Sequence, residues 1–341
     1  MIEPEQLNRV VKKLVTTNNL ESSVQVTPPW ANQVIDQAAR STILAFEQKS
    51  PTDLLAVHRT LKTLYDIHLF PNTPGAQNQY NPYLGEVRKT IEDGWMSSEA
   101  KRSSLNTQAI PTGKPEFADY FQKWVLSHPA ANHKVYDYLE KKATTADMHT
   151  FFRDEQPLDV RFFDIVVMAA IGSDGSVRQE VSQNMWDESG GGEQAAAHTT
   201  LYRTLLTKLG INKSDAEFSD DMGIEALAGY NLFQYLGQNR GKYNESVGAL
   251  GATELLDPPL YSKFMKGARR LGLDRATDLT YYSEHISIDV FHGDGWINRV
   301  MLPVMDQSPT ATTEFMRGAE MRLHTAGDYY DAMERKLIQG K

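Results

Sequence analysis

Apolar residues recur at three- and four-residue spacing through nearly every long segment of this chain, the periodicity of amphipathic helices. The pattern predicts helices over Ala31–Lys49, Thr52–Leu69, Pro82–Trp95, Lys114–Ser127, Pro129–Lys142, Ala146–Glu155, Leu158–Ile171 and Val177–Glu188. It continues over Glu193–Leu209, Met222–Gln238, Asn239–Leu250, Pro258–Leu271, Ser283–Val300 and Ser308–Ile338. Clear alternating segments that would build half-buried strands are hard to find, so the expected fold is all-α. Ser50-Pro51-Thr52-Asp53 and Ser127-His128-Pro129 read as helix starts. Gly210, Gly251 and Gly272 each follow a leucine and read as helix ends. No internal repeat at a fixed period is visible.

The main break is the polar stretch 103–115, which holds Pro111, Gly113 and Pro115 and reads as a linker. It divides the chain into an expected N-terminal helical domain, residues 1–112, and a second domain, residues 113–341. The chain has 341 residues, enough for one large or two medium domains. Cysteine is absent, which excludes disulfides, thiolate catalysis, iron–sulfur clusters and cysteine-bound zinc. Net charge is −9 with no basic run, so no nucleic-acid partner is expected. No apolar stretch is long enough for a transmembrane helix, and the N-terminus is acidic and polar, unlike a signal peptide. A cytoplasmic protein is the expectation.

Candidate chemistry concentrates in two places. The first is His285-x3-Asp289-x2-His292. On a helix these positions fall within about 60° of one another, so one face carries two imidazoles and a carboxylate. Ile286, Ile288, Val290 and Phe291 surround them, so the helix is expected to be buried. Buried ionisable groups cost several kcal/mol unless paired or metal-bound. The set suits a redox-active divalent metal such as iron or manganese; the alternative is a core carboxylate hydrogen-bonded to two histidines. The second place is Asp187-Glu188-Ser189-Gly190-Gly191-Gly192-Glu193, followed by His198. On an unbroken helix Glu188 and His198 would stand about 15 Å apart. Three glycines can bend or unwind the helix so that both turn into one site. Were the helix straight, Glu193 would take the carboxylate role. The alternative is a helix ending at Glu188 with a glycine cap and a new helix from about Glu193.

Together the two motifs, the second starting 87 residues after His198, resemble those of the haem-oxygenase-like diiron oxidases and oxygenases. The resemblance covers roughly residues 115–341 and implies a haem-oxygenase-like helical bundle. It also implies a further carboxylate from the first core helix, for which Glu155 is preferred over Asp159 and Asp164. The implied ligands of two Fe(II) ions are then Glu155, Glu188, His198, His285, Asp289 and His292. O₂ is the implied co-substrate, with an external electron donor. The Trp186-Asp-Glu-Ser-Gly-Gly-Gly segment and the two-domain layout look most like the N-oxygenase branch, which forms N-nitrosoureas. That branch implies N-hydroxylation of an amine or guanidine in a small amino-acid-like substrate, in specialised-metabolite biosynthesis, by a homodimer. Oxidative carbon–carbon cleavage or desaturation of an amino or fatty acid is the alternative for the same site. A metal-free helical binding protein is the alternative outside it. His58 and His68 read as structural, and His128 and His133 as caps or surface residues.

Overall fold

The computed structural model describes residues 3–18, 20, 29–173 and 175–339, and among them there is no strand. The chain forms two compact units: residues 1–104 with 226–235, and residues 105–225 with 236–341. The division thus falls at 104/105, a little before the expected boundary, and residues 226–235 group with the N-terminal unit although they lie far along the sequence.

In the first unit, α1 (Pro4–Val15), α2 (Pro29–Phe46), α3 (Pro51–Leu69) and α4 (Pro82–Arg102) pack on one another. Proline opens each of α1, α3 and α4, where its missing N–H costs nothing. Ser50 accepts from the Asp53 amide, and Asn81 from those of Tyr83 and Leu84. His58 lies buried edge-on to Phe46 and Trp95, at ring separations of 5.8 and 4.9 Å. Desolvation lowers its pKa to about 4 despite the pull of Glu99, so it is a neutral core residue, as its sequence context suggested.

The second unit carries α5 (Lys114–Ser127), α6 (Lys134–Lys141), α7 (Thr145–Asp159), α8 (Phe162–Ala170), α9 (Gly175–Glu188), α10 (His198–Lys208) and α11 (Asp215–Asp221). After α12 (Ile224–Gln238) come α13 (Tyr243–Arg270), α14 (Thr280–Gly295) and α15 (Ala311–Glu334). A π-helical segment, Trp296–Met301, prolongs α14. Helix α13 is the axis of the unit and packs along α15, α14 and α6. Small residues make those approaches possible. A Cβ at Gly248 would stand 2.0 Å from the Phe315 carbonyl oxygen, and one at Gly267 would stand 2.1 Å from that of Leu139.

Two sequence expectations fail on α13, for one reason. Gly251 does not end a helix, and Pro258-Pro259 do not start one; a single helix runs through all three. Gly251 lies under Met301 and Trp296, where a Cβ would meet the Met301 Cε at 2.5 Å. It is a packing glycine rather than a cap. The prolines cost the helix the amides that would bond to the carbonyls of Glu254 and Leu255. Burial along most of α13 outweighs that loss, as tertiary packing routinely outweighs propensity. Gly210 and Gly272, by contrast, adopt left-handed φ of 71° and 74° and do end helices.

Candidate metal centre

The segment joining Glu188 to His198 breaks the helix completely. Helix α9 stops at Glu188, and α10 starts at His198. The Gly191 amide donates to the Trp186 carbonyl at 2.9 Å and the Gly190 amide to that of Asp187 at 2.8 Å, with Gly190 left-handed at φ 77°. That is a Schellman cap. Gly191 and Gly192 are also left-handed, at 61° and 92°, and a short 3₁₀ turn over Gln194–Ala196 leads into α10. The chain thereby doubles back, and Glu188 Oε2 comes to 3.0 Å from His198 Nδ1. Glu193 is exposed and takes no part in this contact.

Two adjoining groups of potential ligands result, each with atoms within 4.8 Å of one another: Glu188, His198 and His285, and Glu254, Asp289 and His292. All six side chains are buried, none more than 7% exposed. Helix α14 supplies the middle of the site, with His285 in one group and Asp289 and His292 in the other. The His198 and His285 rings lie 4.4 Å apart. Five of the six residues expected from the sequence are brought together here. Glu155 is in neither group; it sits on α7 in the field of Arg322 and Asp154. Asp159 is buried near Glu155 and Asp257, and Asp164 pairs with Arg161 at 3.4 Å. The residue that sequence reasoning missed is Glu254. Its signal was a lone acid in the apolar run Leu250–Leu256, hidden when Gly251 was read as a helix end.

On His285 and His292 a hydrogen bond holds the outer ring nitrogen and turns the other toward the ligand groups. His285 Nδ1 donates to the Tyr281 carbonyl at 2.6 Å, so Nε2 keeps its lone pair. His292 Nε2 donates to Asp187 Oδ2 at 3.1 Å, so Nδ1 faces Glu254 Oε2 at 3.5 Å and Asp289 Oδ1 at 4.0 Å. A carbonyl or carboxylate holding the outer ring nitrogen is the usual support of a metal-bound histidine. His198 Nδ1, although 3.0 Å from Glu188 Oε2, is not aligned for a hydrogen bond. Each group thus holds one buried atom without a hydrogen-bond partner among the described residues: His198 Nδ1 in the first and Glu254 Oε1 in the second. Such an orphan costs about 1–3 kcal/mol. A cation between the donors would satisfy both.

The electrostatics agree. Desolvation and the neighbouring His198 lower the His285 pKa to about 4. Burial opposes charge on His292, but Glu254 and Asp187 outweigh it and raise the pKa to about 9. Burial raises the Glu254 carboxyl, and burial with Glu254, Asp257 and Glu188 holds Asp289 well above the usual range. Glu188 is lowered against its burial by His198, His285 and His292. Three carboxylates crowded into a dry space repel one another, and two divalent cations would offset that repulsion. A third group, His133, Asp331 and Glu334, is different. His133 Nδ1 accepts from the Val135 amide, so Nε2 carries the hydrogen and donates to Asp331 at 3.2 Å, while Lys134 pairs with Glu334. It is a surface ion-pair cluster.

The fold and these donors define a class. A family model described as iron-containing redox enzyme matches residues 149–327, just over half of the chain, and the chain belongs to that family. Nitrosourea synthase of Streptomyces achromogenes subsp. streptozoticus is 28% identical over 153 residues, 44% of this chain and 32% of that protein. The match therefore spans about a third of that relative's length. A CADD-like protein of unknown function from Nostoc punctiforme PCC 73102 superposes with a TM-score of 0.52 at 17% identity, covering 65% of this chain and 98% of that one. At that identity the likeness speaks for the fold alone. Among the described residues no helix is long and apolar enough to cross a membrane.

Proposed function

We propose that this chain is a non-haem diiron oxygenase that uses O₂ to hydroxylate a nitrogen, amine or guanidine, of a small amino-acid-like substrate. The observation that carries this reading is the pair of adjoining three-residue groups, each with two acids or two imidazoles, each buried, and each with an orphaned donor atom. Glu188, His198 and His285 would hold one iron, and Glu254, Asp289 and His292 the other. When bound, two ferrous ions supply the electrons and open positions for O₂ chemistry. The protein's part is positional. Asp187 and the Tyr281 carbonyl fix the two ring orientations on α14, and the buried walls exclude bulk water. The overall conversion inserts one oxygen atom at nitrogen and releases the other as water, consuming two electrons and two protons from an external donor. The kinship with nitrosourea synthase supports nitrogen as the atom oxidised.

The test is anaerobic loading with Fe(II), exposure to O₂ with candidate amino acids, and mass analysis of products. The expected result is substrate-dependent oxygen consumption and a product heavier by one oxygen atom. Loss of carbon from the product would instead indicate oxidative cleavage at the same site. No oxygen consumption at full iron loading would sink the enzyme reading.

A further inference from the structure

Two of the three histidines at the site have the outer ring nitrogen held, His285 by the Tyr281 carbonyl and His292 by the Asp187 carboxylate. The third, His198, is flanked by two carboxylates. Its ring stands 4.4 Å from that of His285 and 6.0 Å from that of Tyr281, so it lies against one face of α14. Glu284 belongs to the same face, because positions i, i+3 and i+4 of a helix are neighbours. Glu188 Oε2 stands 3.0 Å from His198 Nδ1, and Glu284 Oε2 stands 3.6 Å from Nε2, across the ring. The two acids differ in setting. Glu188 is buried and belongs to the first ligand group, whereas the Glu284 side chain is 42% exposed and belongs to neither group. At 3.6 Å the Glu284 pair is just beyond hydrogen-bond length, and a half-exposed side chain is free to rotate through the remaining distance.

We propose that Glu284 is the positioning residue of His198: it accepts the Nε2 hydrogen and so keeps Nδ1 bare for the metal of the first group. The inference rests on the metal-centre reading above and adds a residue outside the six donors. A neutral imidazole carries one ring hydrogen, on either nitrogen. With the hydrogen on Nδ1, the ring would donate to Glu188 and its lone pair would point out of the ligand group. With the hydrogen on Nε2, Nδ1 presents a lone pair beside Glu188 and His285. Glu284 stabilises this second tautomer. The Nδ1 contact with Glu188, short yet not aligned as a hydrogen bond, suits a nitrogen that is not donating. A carboxylate behind the ring also raises the basicity of the nitrogen that faces the metal. Helix α14 then does more than supply His285, Asp289 and His292. Through Glu284 it also orients a ligand carried by α10.

The experiment uses the full chain with isotope-labelled histidines, loaded with Zn(II), a redox-silent stand-in for iron. Metal stoichiometry is measured first, and a wild-type protein that binds no Zn(II) sinks the metal-centre reading and the proposal with it. Long-range proton–nitrogen NMR spectra then report which His198 nitrogen carries the hydrogen, the signal being identified by its absence from His198→Asn. The expected result is hydrogen on Nε2 in the wild type. Glu284→Ala should bind one of the two ions about 10–100-fold more weakly and exchange the Nε2 hydrogen with solvent faster, with an unchanged thermal melt. Glu284→Gln, whose amide oxygen still accepts, should lose less than Glu284→Ala, and it serves should the alanine variant fail to fold. Ser287→Ala, exposed on the same helix, should leave both ions as in the wild type. Hydrogen on Nδ1 in the Zn(II)-loaded wild type overturns the proposal. Wild-type affinity for both ions in Glu284→Ala also overturns it and leaves the metal centre standing.

Discussion

At the residue scale, the division of labour between Glu254 and Glu155 is the sharpest statement the structure makes. Glu254 is buried, touches His292 and has an orphaned oxygen; Glu155 belongs to a different cluster. Glu254→Gln is therefore expected to reduce bound iron from two ions to one, whereas Glu155→Gln keeps both. Elemental analysis of the two variants, beside a thermal melt, decides this, and unchanged iron in Glu254→Gln would remove that residue from the ligand set. Metal uptake should also depend on pH in a defined direction. His292 without metal is protonated up to about pH 9, above its unfolded value near 6.5. Its pairing with Glu254 and Asp187 thus stabilises the metal-free protein below about pH 6.5 and is lost as pH rises through 9. A metal must expel that proton and those raised on Glu254 and Asp289. Affinity for Mn(II) should therefore climb between pH 6 and 9, with protons released on binding. Asp187→Ala is expected to weaken metal binding by about 10–100-fold, the usual effect of removing a carboxylate behind a histidine ligand. A flat pH profile would refute the raised proton affinity of His292, Glu254 and Asp289.

At the level of elements, periodicity made the helices legible and the acid–glycine–histidine and His-x3-Asp-x2-His patterns made five site residues legible. What stayed hidden depended on packing. Gly251 and Gly272 both follow leucine, but only Gly272 is left-handed; Gly251 is helical because Met301 and Trp296 press on it. A single sequence carries no mark of which neighbour presses where. The glycine loop after α9 shows the same contrast in testable form. Gly190 and Gly210 have similar φ, 77° and 71°. A Cβ on Gly210 enters open space, whereas one on Gly190 would stand 2.4 Å from the Ala197 amide and 2.6 Å from the Glu193 carbonyl oxygen. Gly210→Ala should cost roughly the left-handed penalty, about 1–2 kcal/mol. Gly190→Ala should cost more and also lower iron content, because its clash pushes apart the backbone that brings Glu188 to His198. Equal destabilisation of both variants with full iron in each would separate the loop from the site.

Across the whole molecule, the two candidate ligand groups are confined to the second unit, while His58 and its aromatic neighbours form a separate core in the first. The second unit therefore bears the cost of burying mutually repelling carboxylates, and under the proposed function metal would relieve it there. A ligand at 100 times its dissociation constant stabilises the state that binds it by about 2.7 kcal/mol. That gain should be local. The segment 186–200 bridges two ligands through three left-handed glycines and a 3₁₀ turn, with few regular helical hydrogen bonds of its own. Without metal it is held by turn hydrogen bonds and the Glu188–His198 contact rather than by packed helix, so it is expected to open more readily than α13. Hydrogen exchange with and without Fe(II) under anaerobic conditions measures this. Protection should rise across residues 186–200 and along α14, while amides of α3 in the first unit stay unchanged. Equal protection of residues 186–200 in both states would show that the loop is already rigid, and its glycines would then serve chain reversal alone rather than coupling metal binding to local folding.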